Sequence, residues 1–123
     1  MNCYGAGRNR PPVERDCGKE VTTMNDIIDS IGLPAVLEQL AEECSELAQA
    51  SLKYARLLRG ENPTPKTRQE CLEAITEETA DVYLCMNLIM FAGVAGAETV
   101  EHITAEKFAR WHNRIQEAHH EEQ

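Results

Sequence analysis

Residues 71–89 read CLEAITEETADVYLCMNLI, and this stretch decides the fold. Cys71, Ile75, Val82, Cys85 and Ile89 recur three, four or seven residues apart, which is one face of a helix at about 3.6 residues per turn. The position missing from that apolar seam is Glu78. Asp81 lies one flank over, about 60° round the helix. A carboxylate in a buried stripe is costly unless a cation or hydrogen bonds compensate it. The stretch therefore predicts both a helix and a site on it.

Thr67-Arg68-Gln69-Glu70 stands just ahead as a capping box, with Thr at the N-cap and Glu at N3. The helix is predicted to run from there to about Ala92, with Gly93 and Gly96 in the following turn. Upstream, Pro63 and Pro65 make residues 61–66 a connector, because each proline pushes its predecessor out of the helical region. Another long helix is predicted from Pro34, suited to N1, to about Arg59. Gly60 stands at its C-terminal end, and Arg56 and Arg59 suit the last turn. Its expected core stripe is Leu37, Leu40, Cys44, Leu47, Ser51, Tyr54 and Leu58. Glu43 borders that stripe and Glu46 lies one step further out.

A short amphipathic helix is expected before it, from Asn25 as N-cap to Ile31, with Ile27, Ile28 and Ile31 apolar. A last helix is expected from Ala97 or Glu98 to Ala118, carrying Val100, Ile103, Phe108, Trp111 and Ile115, with residues 119–123 fraying. Strand patterns are absent. The fold class is all-α, an antiparallel helix bundle. Val82 to Phe91 is apolar nearly all round, more surface than one partner helix covers. A bundle completed by a second chain, a homo-oligomer, is expected. Residues 1–23, with glycines and prolines among mixed charges, read as a flexible extension, and 24–123 as one helical domain.

The charge balance narrows the partners. Twelve Lys and Arg against 21 Asp and Glu leave −9, a poor match to a nucleic-acid polymer. It still allows a phosphate-bearing small molecule with metal ions as the positive charge. No apolar run is long enough for a membrane span. Arg8, Arg10 and Arg15 are followed by no apolar segment of a secretory signal. Five cysteines, an odd number without metal-ligand spacing, fit a reduced, cytoplasmic protein.

Glu43 with Glu46, and Glu78 with Asp81, are two i, i+3 pairs on two long helices. Facing each other, they would hold a cation through oxygen alone, which favours Mg²⁺, with Mn²⁺ as the alternative. Charged helix positions are ordinarily solvated, and that is the competing reading for the first pair. Glu78, interrupting a buried stripe, is what tips the balance. Glu42 is a candidate further ligand, outer partner or general base, and Glu46 a catalytic as well as a ligand candidate. On the last helix Lys107, Arg110 and Arg114 share a face beside Trp111 and suit a polyphosphate. Favourable placement of cations late in a helix is the plainer reading, strongest for Arg114. Lys53 and Arg56 are weaker phosphate candidates. Tyr54, Tyr83 and Trp111 are candidates for stacking on a base, with core packing favoured by periodicity.

Glu42-Glu43-Cys44-Ser45-Glu46 followed by Glu78-Thr79-Ala80-Asp81 resembles the EExxE…ExxD signature of the MazG-like, all-α nucleoside triphosphate pyrophosphohydrolases. The segment Lys107-Phe108-Ala109-Arg110-Trp111 is similar to that family's basic segment. The resemblance covers about residues 25–118. It implies Mg²⁺-dependent hydrolysis of a (d)NTP between its α and β phosphates, giving the monophosphate and pyrophosphate. Glu43, Glu46, Glu78 and Asp81 would then be metal ligands, with Lys107 and Arg110 steadying phosphates in a dimer or tetramer. A phosphoribosyl-ATP pyrophosphohydrolase is the related alternative. A non-catalytic helical oligomerisation or regulatory module is the alternative from another class.

Overall fold

The computed structural model describes residues 23–61 and 65–121, and these form four helices. The helices are α1 (Met24–Ile31), α2 (Leu33–Arg59), α3 (Arg68–Phe91) and α4 (Ala97–Glu121). The extension expected over 1–23, with Cys3 and Cys17, lies outside the described residues except for Thr23, as do 62–64 of the connector. The all-helical class is observed, with α1, α2 and α3 packed on one another. No described helix is long and apolar enough to cross a membrane.

Local chemistry sets the helix ends. The Thr67 box forms as expected: Glu70 N–H donates to Thr67 Oγ1 at 3.2 Å, and Thr67 N–H donates to Glu70 Oε2 at 2.6 Å. These bonds to Thr67, backbone first and then side chain, lower the Glu70 pKa. Gly60 closes α2 in the left-handed region, φ 66°, where a side chain would be strained. At the other end, α1 begins one residue before the expected Asn25. Thr23 is its N-cap, and Thr23 and Asp26 form a second capping box. Gly32 at φ 84° is the whole connection between α1 and α2. Pro34 falls within the first two positions of α2, and α4 continues past Ala118 to Glu121.

Packing of α2 on α3 is the largest helix–helix contact. The groove between them is lined by Glu46, Ala50 and Lys53 on one side and Cys71, Ala74 and Glu78 on the other. Glu46 meets Glu78 near the middle of each helix, while a short connector joins the end of α2 at Arg59 to the start of α3 at Arg68, so the pair is antiparallel. On α3 the buried residues are Cys71, Val82, Cys85 and Leu88, three of which belong to the seam read from the sequence.

On α2 the expected stripe is rotated by about one residue. Val36 and Ala50 are buried, and Leu40, Glu43, Leu47, Tyr54 and Leu57 are half-buried. Their spacing of four and three is the seam of a helix pair. Leu37, Cys44, Ser51 and Leu58, expected inside, are exposed, Leu58 at 62%. The correction has a physical cause. The two stripes share Leu40, Leu47 and Tyr54, and the expected one differs by the bulkier Leu37 in place of Val36 and the uncharged Cys44 in place of Glu43. The inner one admits Ala50, which lets α3 approach, and Glu43.

α4 stands apart. It has no buried residue, and it forms no substantial packing with the other described helices. Its expected apolar face is open, with Phe108 and Trp111 each 71% exposed.

Candidate functional site

Glu43 and Glu46 come from the middle of α2 and Glu78 from the middle of α3. One carboxylate oxygen of each lies within 4.8 Å of the others, a spacing that could hold a metal ion. Exposed acidic groups gather without one often enough that the trio's surroundings matter. Glu43 and Glu78 are half-buried, whereas Glu46 is exposed at the mouth. Glu43, expected on the border of the stripe, is on the inner seam itself. Its Oε1 accepts a hydrogen bond from Gln39 Nε2 one turn earlier, which holds the carboxylate over the gap.

Glu78 carries the strain of the cluster. Its Oε2 is buried and, among the described residues, has no hydrogen-bond partner. Its pKa is raised, first by desolvation, then by the charge of Glu46, a hydrogen bond with Glu46, and the charges of Glu43 and Glu77. Desolvation and like charge both disfavour the carboxylate. A buried carboxylate oxygen is stable only with a hydrogen-bond donor or a cation against it. Three oxygen donors without nitrogen or sulfur fit a hard divalent cation such as Mg²⁺.

Asp81, the fourth expected ligand, is half-buried one turn beyond Glu78 but does not belong to the 4.8 Å trio. Its charge instead acts on the buried Cys85. That thiol's pKa is raised by burial first, then by Glu43, Asp81 and Cys44. Glu42 is exposed, turned away from the seam. Cys71 and Cys85 are buried free thiols, as small apolar residues would be, while Cys44 is free and exposed.

Of the expected phosphate-binding residues, Lys53 lies beside the trio. It lines a groove of about 290 Å³ together with Glu46, Gln49, Lys66 and Glu78. Gln39, Gln49 and Lys66 were missed by reading the sequence. For Gln39 the signal was its spacing of four from Glu43. Lys66 sits in the connector, where periodicity says nothing. Lys107, Arg110, Trp111 and Arg114 do share a face and line a shallow hollow of about 330 Å³. That hollow is on α4 and is separate from the α2–α3 groove. Tyr83 and Trp111, expected as core, are exposed, and Tyr54 is half-buried.

No protein-family model, curated protein or solved structure matches this chain. The functional reading therefore stands on the sequence motif and on the geometry above.

Proposed function

We propose that the chain is a Mg²⁺-dependent nucleoside triphosphate pyrophosphohydrolase of the MazG-like kind, cytoplasmic and acting on the nucleotide pool. The observation that carries the reading is the approach of one carboxylate oxygen from each of Glu43, Glu46 and Glu78 to within 4.8 Å of the others, together with a Glu78 Oε2 that is buried and has no hydrogen-bond partner among the described residues. Glu43 and Glu46 from α2 and Glu78 from α3 would hold the cation, with Asp81 joining by turning its side chain. A bound Mg²⁺ supplies positive charge for phosphate oxygens and acidifies water. In the reaction a water oxygen attacks the α phosphorus, the bond from that phosphorus to the bridging oxygen breaks, and pyrophosphate leaves with the electron pair. Glu46, the exposed member of the trio, would take the proton of the attacking water, rather than Glu42, which is turned away from the seam. The in-line geometry this needs is a matter of positioning and charge.

Assembly belongs to the same proposal. A 25-residue helix with no buried residue, and with Ile103, Phe108, Trp111 and Ile115 exposed on it, suits a homodimer or homotetramer that covers the face. Such an assembly would also offer Lys107, Arg110 and Arg114 to a neighbouring copy. The same exposed face supports the rival reading of a non-catalytic oligomerisation module.

The deciding experiment is pyrophosphate release from a panel of dNTPs with Mg²⁺, for the wild type and Glu78→Gln. Activity in the wild type, lost in the variant, is expected. Equal activity in both, or none on any nucleotide, overturns the enzyme reading and leaves the module. Activity on phosphoribosyl-ATP alone assigns the related alternative.

A further inference from the structure

Glu46 and Glu78 of the acidic trio stand at one end of the groove between α2 and α3. Lys53, two helical turns after Glu46, and Lys66, from the connector just before the Thr67 cap, line the same groove of about 290 Å³. Ala50, Cys71 and Ala74 also line it, and Ala50 and Cys71 are buried. Small side chains there leave the space between the charged groups open. Gln49 adds an amide able to donate or accept. The groove is thus dipolar: carboxylates lie toward one end and ammonium groups toward the other. Seven residues of helix separate Glu46 from Lys53, about 10 Å along the axis. That length suits two linked phosphates between a carboxylate-held cation and an ammonium group.

We infer that this groove is an oligophosphate subsite, in which Lys53 and Lys66 bind the phosphate oxygens of a group whose other end meets the cation held at Glu43, Glu46 and Glu78. The inference rests on the metal-site part of the proposed function and adds Lys66 and Gln49 to the residues that recognise substrate. It also orders the cations. Lys53 and Lys66 belong to the same helix pair as the acids, whereas the α4 stripe lies on a helix with no substantial packing against that pair. Ammonium groups act here as point charges with rotatable donors, suited to a terminal phosphate that varies in orientation. Lys66 has a second task. Its charge is the smallest of the influences that lower the Glu70 pKa, after the Thr67 bonds. Phosphate oxygens and the Glu70 carboxylate are both anionic, and one ammonium with three donors can serve both.

The test is calorimetric titration of the full chain with Mg²⁺ alone, and with inorganic pyrophosphate in the presence of Mg²⁺. Wild type, Lys66→Ala, Lys66→Arg, Lys53→Ala and Arg110→Ala are compared. Expected is pyrophosphate binding weakened about tenfold in Lys66→Ala and in Lys53→Ala, near wild type in Lys66→Arg, and unchanged in Arg110→Ala. Mg²⁺ binding should stay within about twofold throughout. Wild-type binding in Lys66→Ala, loss in Arg110→Ala instead, or no pyrophosphate binding by the wild type overturns the inference. The hydrolysis panel decides separately. Pyrophosphate binding that depends on Lys66 in a protein that cleaves no nucleotide sustains the subsite and overturns the enzyme.

Discussion

Helices α2, α3 and α4 have nearly the same length, 27, 24 and 25 residues, but the first two and the last stand in opposite circumstances. The α2–α3 pair holds buried residues along a shared seam, and its acids meet inside that seam. α4 is as long, carries Ile103, Phe108, Trp111 and Ile115, and buries nothing. The contrast separates two uses of a helix. In the pair, apolar burial supplies the stability that tolerates a repulsive, half-buried carboxylate cluster. In α4, apolar area is left open, which for an isolated helix in water is a poor arrangement, since most helical stability comes from packing. The pair is therefore where chemistry is to be sought, and α4 is where contact with another molecule is to be sought.

The largest effect expected is on the acidic cluster. Glu78→Gln should reduce pyrophosphate release by about 100-fold or more, as for loss of a group that stabilises charge at the reaction centre. It should also abolish any rise in melting temperature produced by Mg²⁺, since stabilisation by a ligand requires binding to the folded state. A variant that keeps both responses would erase the special standing of the pair. Glu42→Gln, by contrast, removes a carboxylate that is exposed, and should leave the Mg²⁺-induced stabilisation intact. Loss of that stabilisation would move Glu42 into the ligand set.

Packing provides the second comparison. Leu88→Ala at the buried end of α3 should cost about 2–5 kcal/mol in denaturant titration. Trp111→Ala on α4 should leave the midpoint of a dilute, monomeric sample almost unmoved, while Phe108→Asp with Trp111→Asp should lower the mass found by sedimentation. If the wild type sediments as a monomer at every concentration, the assembly proposed through α4 is wrong. If Trp111→Ala costs as much as Leu88→Ala in the monomer, the open face has been misjudged.

Much of the pair was legible. Glu78 was found because it broke a repeating pattern in α3, and that pattern reports burial directly. The Thr67–Glu70 box and Gly60 were found because helix ends have local chemical requirements. The α2 seam was less legible, for an instructive reason. Periodicity avoids a charged position, and in α2 that favours the stripe with Leu37 and Cys44 over the one with Val36 and Glu43. The inner stripe carries Glu43, whose charge weakens its hydrophobic signature. A seam shared with a site reads as less core-like than a face left open. For Thr23 the local signal was available, since Asp26 follows at the capping-box spacing, but the neighbouring Asn25 was an equally good cap by residue type. Lys66 offered no signal, because its place depends on how the connector returns the chain to α3.

Caps give a smaller effect than cores. Thr67→Ala removes the side-chain acceptor of Glu70 N–H at α3 and should cost about 1 kcal/mol. Its reach should be local: the Mg²⁺ response belongs to the middle of α2 and α3 and should persist. Loss of that response with the cap would mean that the α3 N-terminus and the acidic cluster form one cooperative unit.

The pH profile sets two carboxylates of α3 against each other. Glu78 has a raised pKa, from desolvation first and then its acidic neighbours. Its contribution favours folding fully below the ordinary value of 4.5 and is lost as pH rises through the higher folded value. Glu70 has a lowered pKa, from its bonds to Thr67. Its contribution is present above the same ordinary value and is lost as pH falls through the lower folded one. The metal-free chain should therefore melt at a higher temperature as pH drops from neutrality toward 4.5, and at a lower one below that. Melting in a chelator across this range, for wild type, Glu78→Gln and Glu70→Gln, resolves the two limbs. Glu78→Gln should flatten the upper limb alone and Glu70→Gln the lower limb alone. Saturating Mg²⁺ should invert the upper limb, because protons then compete with the cation for the same oxygens. An upper limb that survives Glu78→Gln would place the titration elsewhere, and with it the electrostatic tension that distinguishes the α2–α3 pair from α4.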